Sequence, residues 1–242
     1  MGQPPSEIAL KVYLDARQAQ RSDREVQALK SISSPSVVEL LDAGTVPLGG
    51  TSLPYLVTRW VDGETLALRI ARGALPERDV LQLSLDVADA IEAFWNAVPR
   101  LVHRDLKPAN IMWTPQGRAV VIDLGLARHV GVASLSGPNE RWGTSGYRAP
   151  EQVTNPSRVL TVKADVFALG VTLQEALAGR HPTPNDDMIH AQHGGLPTRG
   201  IIPGVRSDVA DWIDQMVCLE AHKRLSPLMV RARAMQILGT LP

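Results

Sequence analysis

Cysteine is nearly missing from this chain: Cys218 is the single one in 242 residues. An intrachain disulfide is therefore excluded, and the composition suits a reducing, cytoplasmic compartment. The setting of that residue, WIDQMVCLEAHKR, predicts a buried thiol on a helix face. Excess charge is missing as well. Lys plus Arg total 25 and Asp plus Glu total 25, so no global field recruits nucleic acid or an anionic membrane, and electrostatic function has to be local. No uninterrupted apolar run approaches the roughly 20 residues of a membrane helix, and the start has no basic-then-apolar leader pattern. Neither a membrane nor a nucleic acid is expected as a partner. Internal repeats and low-complexity segments are absent too.

What is present is ample apolar material, 44% of the residues, enough for one large domain or two lobes. Up to about Thr58 it is arranged in short β-like runs, IALKVYL, VVELLDAGTV and PYLVTRW, each bounded by Gly, Pro or Asp. Between the first two, RSDREVQALKSI places Val26, Leu29 and Ile32 at helical spacing. The order is strand, helix, strand, strand, with Gly49 and Gly50 as the turn between the last two strands.

After DGETL, the candidate hinge, the pattern turns helical. In PERDVLQLSLDVADAIEAFWNAV one stripe is Leu81, Leu85, Ala88 and Trp95, and another is Leu83, Val87, Ala90 and Phe94, which predicts a deeply packed helix. DVFALGVTLQEALAG is apolar nearly all round, and Gly179 and Pro182 stop it. Two β-like snippets, ANIMW and AVVIDLG, are joined by the turn TPQG. The split falls near residue 62, giving units 1–62 and 63–242.

The string HRDLKPAN, His103 to Asn110, concentrates chemistry in one loop. Asp105 can serve as a base, Lys107 as a cation and Asn110 as an oxygen ligand, and Asp123 in DLG, 13 residues after Asn110, adds a carboxylate ligand. That is the minimum equipment for phosphoryl transfer, whose catalysis is mostly positioning and charge neutralisation.

These strings resemble the eukaryotic-type (Hanks-type) Ser/Thr protein kinase family, whose motif set is an established template. IALK is similar to the strand carrying the phosphate-contacting lysine, which implies that role for Lys11 and adenine packing for Ala9. REVQAL resembles the helix carrying the partner glutamate, here Glu25, only 14 residues from Lys11. YLVTRWVDGETL resembles the hinge strand, with Thr58 as gatekeeper, the backbone of Arg59 and Val61 at adenine, and Met112 lining the nucleotide site from the other unit. GTSGYRAPE resembles the substrate-facing segment that closes the activation loop, with Thr144 at the substrate. Glu151, Asp165 and Arg224 match scaffold positions, Asp165 steadying the catalytic loop and Arg224 pairing with Glu151, and His103 matches a core-packing position.

The resemblance implies an α+β, bilobal protein-kinase-like fold with a reduced N-terminal β lobe and a mainly helical C-terminal lobe. It implies transfer of the γ-phosphoryl of Mg-ATP to Ser/Thr hydroxyls of protein substrates, this chain included. Asp105 takes the proton, a carboxylate being ionised at neutral pH. Asn110 and Asp123 hold Mg²⁺, a hard ion that shares its shell with phosphates, and Lys107 neutralises the moving phosphoryl. Arg104 is placed to grip a phosphorylated activation loop, with Ser134, Ser136 and Ser145 as acceptors.

Two departures stand out. Asp-Leu-Gly replaces Asp-Phe-Gly, a swap that keeps an apolar plug at Leu124. Ten residues before Lys11 do not accommodate the two strands and Gly-x-Gly-x-x-Gly loop of the family, so an abbreviated lobe with an open phosphate site is expected. Alternatives are a pseudokinase that holds nucleotide or a partner without turnover, a small-molecule phosphotransferase, and a partner chain that completes the N-lobe sheet at its exposed edge.

Overall fold

The computed structural model describes residues 7–14, 16–130, 143–155, 159–183 and 186–241. The N-terminal unit is a three-stranded antiparallel sheet with one helix. Strand β1 (Ile8–Val12) leads into helix α1 (Ala16–Lys30), and β2 (Leu40–Leu48) and β3 (Thr51–Arg59) form a hairpin. The order is β1-β3-β2, so β1 is an edge strand. Gly49 and Gly50 both have positive φ, 57° and 80°, the backbone a two-residue hairpin turn needs to match strand twist. In α1 the buried face carries polar residues: Ser22 and Glu25 are 2% and 1% exposed, beside Ala28 and Leu29. Val26 is only half-buried, so the apolar spacing alone misplaces the inward face by a fraction of a turn.

After β3, β4 (Glu64–Thr65) and α2 (Leu66–Ala71) precede α3 (Glu77–Asn96). Both predicted stripes of α3 face inward, with Leu81, Leu83, Val87, Ala88, Ala90 and Phe94 fully buried. Glu77 and Asp79 in its first turn suit the positive end of the helix dipole. Strands β5 (Leu101–Val102), β6 (Ile111–Trp113), β7 (Ala119–Val121) and β8 (Arg128–His129) make two small sheets, β4-β6-β7 and β5-β8. Buried Asp86 on α3 receives the Arg118 guanidinium and the Ala119 amide at 2.8 Å. This clamps the β6–β7 hairpin to the helix.

Helices α4 (Pro150–Thr154), α5 (Val162–Ala178), α6 (Asp187–His193), α7 (Thr198–Ile201), α8 (Ser207–Asp214) and α9 (Pro227–Leu238) complete the second unit. Helix α5 is buried along nearly its whole length and stops at Gly179, whose φ is 69°, the left-handed cap its sequence predicts. The two units meet through backbone: Val121 donates to Ser36 O and Val38 donates to Val121 O, both at 2.9 Å.

Cys218 departs from expectation. It lies past the end of α8 and is only half-buried, with its Sγ donating to Asp214 O at 3.4 Å. Past the helix, Arg224 donates to the Cys218 and Leu219 carbonyls at 2.8 and 3.0 Å. These contacts fix the turn that carries Cys218 away from a helix face.

Candidate active site

The loop of residues 103–110 follows β5 and is fixed from below. Asp165 on α5, 1% exposed, accepts the His103 amide at 2.8 Å and the Arg104 amide at 2.9 Å. Burial pushes its carboxyl up, against these two donors and the nearby His103 and Arg104. His103 and Leu106 are fully buried, and His103 packs on Phe94 with ring centroids 5.6 Å apart. Arg104 takes φ 73°, a strained value for a side-chain-bearing residue, of the kind found where a loop is over-determined by its surroundings. Its carbonyl accepts from Gln152 Nε2 at 3.1 Å. Gly143, φ 97°, crosses so close that a Cβ there would lie 2.7 Å from that same carbonyl.

This folding leaves Asp105 and Lys107 facing one another. Asp105 Oδ1 accepts both the amide and the hydroxyl of Thr144, each at 2.7 Å. Lys107 Nζ lies 3.0 Å from Asp105 Oδ2 and donates to Thr144 Oγ1 at 2.5 Å. Asn110 donates Nδ2 to the Asp105 carbonyl at 2.8 Å and to Asp105 Oδ2 at 3.2 Å, which turns its amide oxygen away from Asp105. Asn110 O also accepts the Ile122 amide at 3.0 Å, tying the loop to the residue before Asp123.

On the sheet side, Lys11 Nζ sits 2.8 Å from Glu25 Oε2 and 3.4 Å from Asp123 Oδ1. Burial alone pushes the Asp123 carboxyl up, but the Lys11 charge and the Gly125 amide, donating at 2.9 Å, hold it below the usual carboxylate range. Leu124 is fully buried, so the leucine does act as an apolar plug. Ala9 pairs with Thr58 across the β1–β3 ladder. Thr58 is 7% exposed, and Arg59 and Val61 follow it at the end of β3. Met112 lies half-buried on β6, between Thr65 and Val120.

A hard divalent cation fits this donor set. The Asn110 amide oxygen and Asp123 carry oxygen ligands with no competing soft donor, and no group of three or more His, Cys, Asp or Glu able to hold a metal occurs among the described residues. Two protein ligands, with phosphates and water filling the remainder, is the pattern of Mg²⁺ and not of a closed structural metal site.

The scaffold residues meet as expected. Arg224 is fully buried and spends all five guanidinium donors: two on Glu151 at 2.8 Å each, and one each on Cys218 O, Leu219 O and Lys163 O. Arg104 stands in a cationic cluster. Burial, then the like charge of Arg128, pushes its pKa down to about 10, with Asp165 opposing and Arg24 adding to the shift. Ser145 is half-buried between Thr144 and Gly146. Ser134 and Ser136 lie outside the described residues.

Sequence reading missed two groups. Buried Asp187 at the start of α6 accepts the Gly146 amide at 2.7 Å and pairs with the Arg148 guanidinium, so it holds the segment after Thr144; nothing at distance 41 in sequence signals it. Tyr13 donates to Glu25, and its spacing of two from Lys11 on one strand face was the available signal.

A family model described as "protein kinase domain" matches residues 5–238. The chain is 34% identical over 173 residues to a "probable serine/threonine-protein kinase" of Streptomyces coelicolor, covering 70% of this chain and 25% of that one. It is 31% identical over 198 residues to a kinase of Bifidobacterium longum, "probable serine/threonine-protein kinase PknB", at 76% and 28% coverage. It is 31% identical over 191 residues to "serine/threonine-protein kinase PknB" of Mycobacterium leprae, at 78% and 30%. The chain thus spans less than a third of the length of each of these relatives.

Proposed function

This chain belongs to the protein kinase family, and on that premise we propose that it transfers the γ-phosphoryl of ATP to serine and threonine hydroxyls of protein substrates, itself included. The observation that carries the reading is the closed contact of Lys11 with Glu25 at 2.8 Å while the same ammonium reaches Asp123. The nucleotide side and the metal side therefore converge on one charge.

In this reading the acceptor hydroxyl docks beside Asp105, which takes the proton as the hydroxyl oxygen bonds to the γ-phosphorus and the bond to the ADP oxygen breaks. Lys107 neutralises charge gathering on the phosphoryl oxygens, and Thr144 holds Asp105 in its rotamer. Lys11 steadies the phosphates, and Glu25 aims Lys11. Asn110 and Asp123 hold Mg²⁺, which screens phosphate charge when bound. Ala9, Thr58, Met112 and the backbone of Arg59 and Val61 frame the adenine, with residues 1–62 and 63–242 as the two lobes around it.

Arg104, with Arg24 and Arg128, is the receiving cluster for a phosphorylated residue of the activation segment, Ser134, Ser136 or Ser145. The exposed edge strand β1, with Ile8 and Leu10 at 53% and 63% exposure, supports pairing with a further strand from a partner chain. No helix among the described residues is long and apolar enough to cross a membrane, and the single cysteine supports a cytoplasmic setting.

The test is phosphate incorporation from γ-labelled Mg-ATP into the protein and a generic basic peptide, followed by phosphoamino acid analysis. Label on serine or threonine that disappears in Asp105→Asn is expected. Incorporation indistinguishable from Asp105→Asn refutes the reading.

A further inference from the structure

Glu25 is 1% exposed and its partner Lys11 has a side chain 43% exposed. A buried carboxylate with one half-solvated cation is poorly compensated, because removing a charge from water costs several kcal/mol unless its lone pairs are met. The second partner is Tyr13, whose hydroxyl donates to the same Oε2 at 2.5 Å.

Tyr13 is itself 4% exposed, and its amide donates to Pro54 O at 2.9 Å, so the β1–β3 ladder sets the direction of the ring. The Lys11 ammonium lies 5.2 Å from that ring's centroid, within reach of a cation–π attraction. One side chain thus touches both members of the pair, giving a hydrogen bond to the acid and a π-face to the base.

From this arrangement we infer that Tyr13 is a positioning residue for nucleotide binding: it holds Glu25 at Lys11 when the ammonium turns toward phosphate. The inference rests on the phosphotransfer reading above. Burial and the Glu25 carboxylate push the phenol far above its ordinary range, so it remains a donor at every pH at which the enzyme is assayed. While Lys11 shares its charge with phosphates, Tyr13 is, among the described residues, the side-chain donor left to Glu25. A phenylalanine keeps the ring and the packing and removes only that donor.

The experiment titrates Mg-ATP into the full chain, wild type and Tyr13→Phe, and reads both the dissociation constant and the steady-state parameters. The expected result is an about 3- to 10-fold weaker Kd, a part of the roughly tenfold or more that a hydrogen bond to a charged group is worth, since Tyr13 acts on nucleotide only through Glu25 and Lys11. KM for ATP rises in parallel, while KM for the peptide stays unchanged. In a Glu25→Gln background the same change costs less, because the acceptor it served is no longer charged. Tyr13→Leu, which also removes the ring, weakens Kd further.

An unchanged Kd in Tyr13→Phe overturns the inference, as does an equal penalty in the Glu25→Gln background. Equal rises in both KM values would make the phenol merely structural and overturn it too. Since Kd needs no turnover, a chain that binds without transferring phosphate contradicts the proposed function while leaving Tyr13 tested. A Tyr13 failure beside normal Asp105-dependent transfer contradicts the inference alone.

Discussion

The helical half of the site and the sheet half carry similar charged residues and hold them differently. In the helical half Asp165 and Arg224 are 1% and 2% exposed, and every donor of the Arg224 guanidinium is used. In the sheet half Lys11 is 43% exposed on an edge strand. Asp105 is therefore positioned by the act of folding, because displacing it means exposing buried charges. The lysine's position rests on two or three local contacts and is adjustable. Substitutions of like residues should unfold one half and retune the other.

The largest effect follows from breaking the buried pair. Arg224→Leu leaves Glu151 charged and unpaired, costing about 3–5 kcal/mol of stability in urea unfolding. A loss below about 1 kcal/mol would erase the contrast between the halves. Lys11→Met is the counterpart: Mg-ATP affinity falls by about tenfold or more, the loss of one or two charge-assisted hydrogen bonds, with a smaller loss of stability than in Arg224→Leu because Tyr13 still donates to Glu25. A collapse of the midpoint would mean that folding depends on the charges of the sheet half as much as on those of the helical half.

A pH series separates the halves further. Burial, then the like charge of His190, pushes His181 just past α5 down to about 4, and burial lowers His190 as well. Between pH 6.5 and about 4 the unfolded chain binds these protons and the folded one does not, so stability rises with pH and is complete above 6.5. Acidification through that window should therefore cost about 1–2 kcal/mol after solvent screening. His181→Gln should flatten the slope; an unchanged slope contradicts the assignment. Asp123, lowered from its ordinary value, supports the fold above the carboxylate range and loses that support only in stronger acid. The smallest change is Arg199→Ala. Its pair with Asp211, at 3.7 Å with both side chains more than half exposed, should contribute less than about 1 kcal/mol.

Much of this was legible in the sequence, and for identifiable reasons. Period-two alternation in IALKV, the double stripe of α3 and the glycine stop of α5 are local signals, so their elements fall where expected. His103 to Asn110 is one loop, and its internal contacts follow from adjacency. The inward face of α1 was less legible because Ser22 and Glu25 occupy it, and a hydrophobic pattern is blind to a buried carboxylate. The place of Cys218 was not legible because the turn that carries it is held by Arg224, six residues further on, through the Cys218 and Leu219 carbonyls. Asp187 became visible only in three dimensions, since its partners Gly146 and Arg148 are about forty residues away.

The central claim is that a folding-fixed Asp105 acts on the acceptor hydroxyl and the adjustable Lys11 side acts on the nucleotide. The most direct measurement is the rate of γ-phosphoryl transfer by Asp105→Asn at saturating Mg-ATP, on protein whose Mg-ATP affinity is measured in the same preparation. The account predicts wild-type affinity with transfer lowered about 10²–10⁴-fold, the range of general-base catalysis. Transfer at the wild-type rate, or loss of nucleotide binding together with transfer, would contradict it.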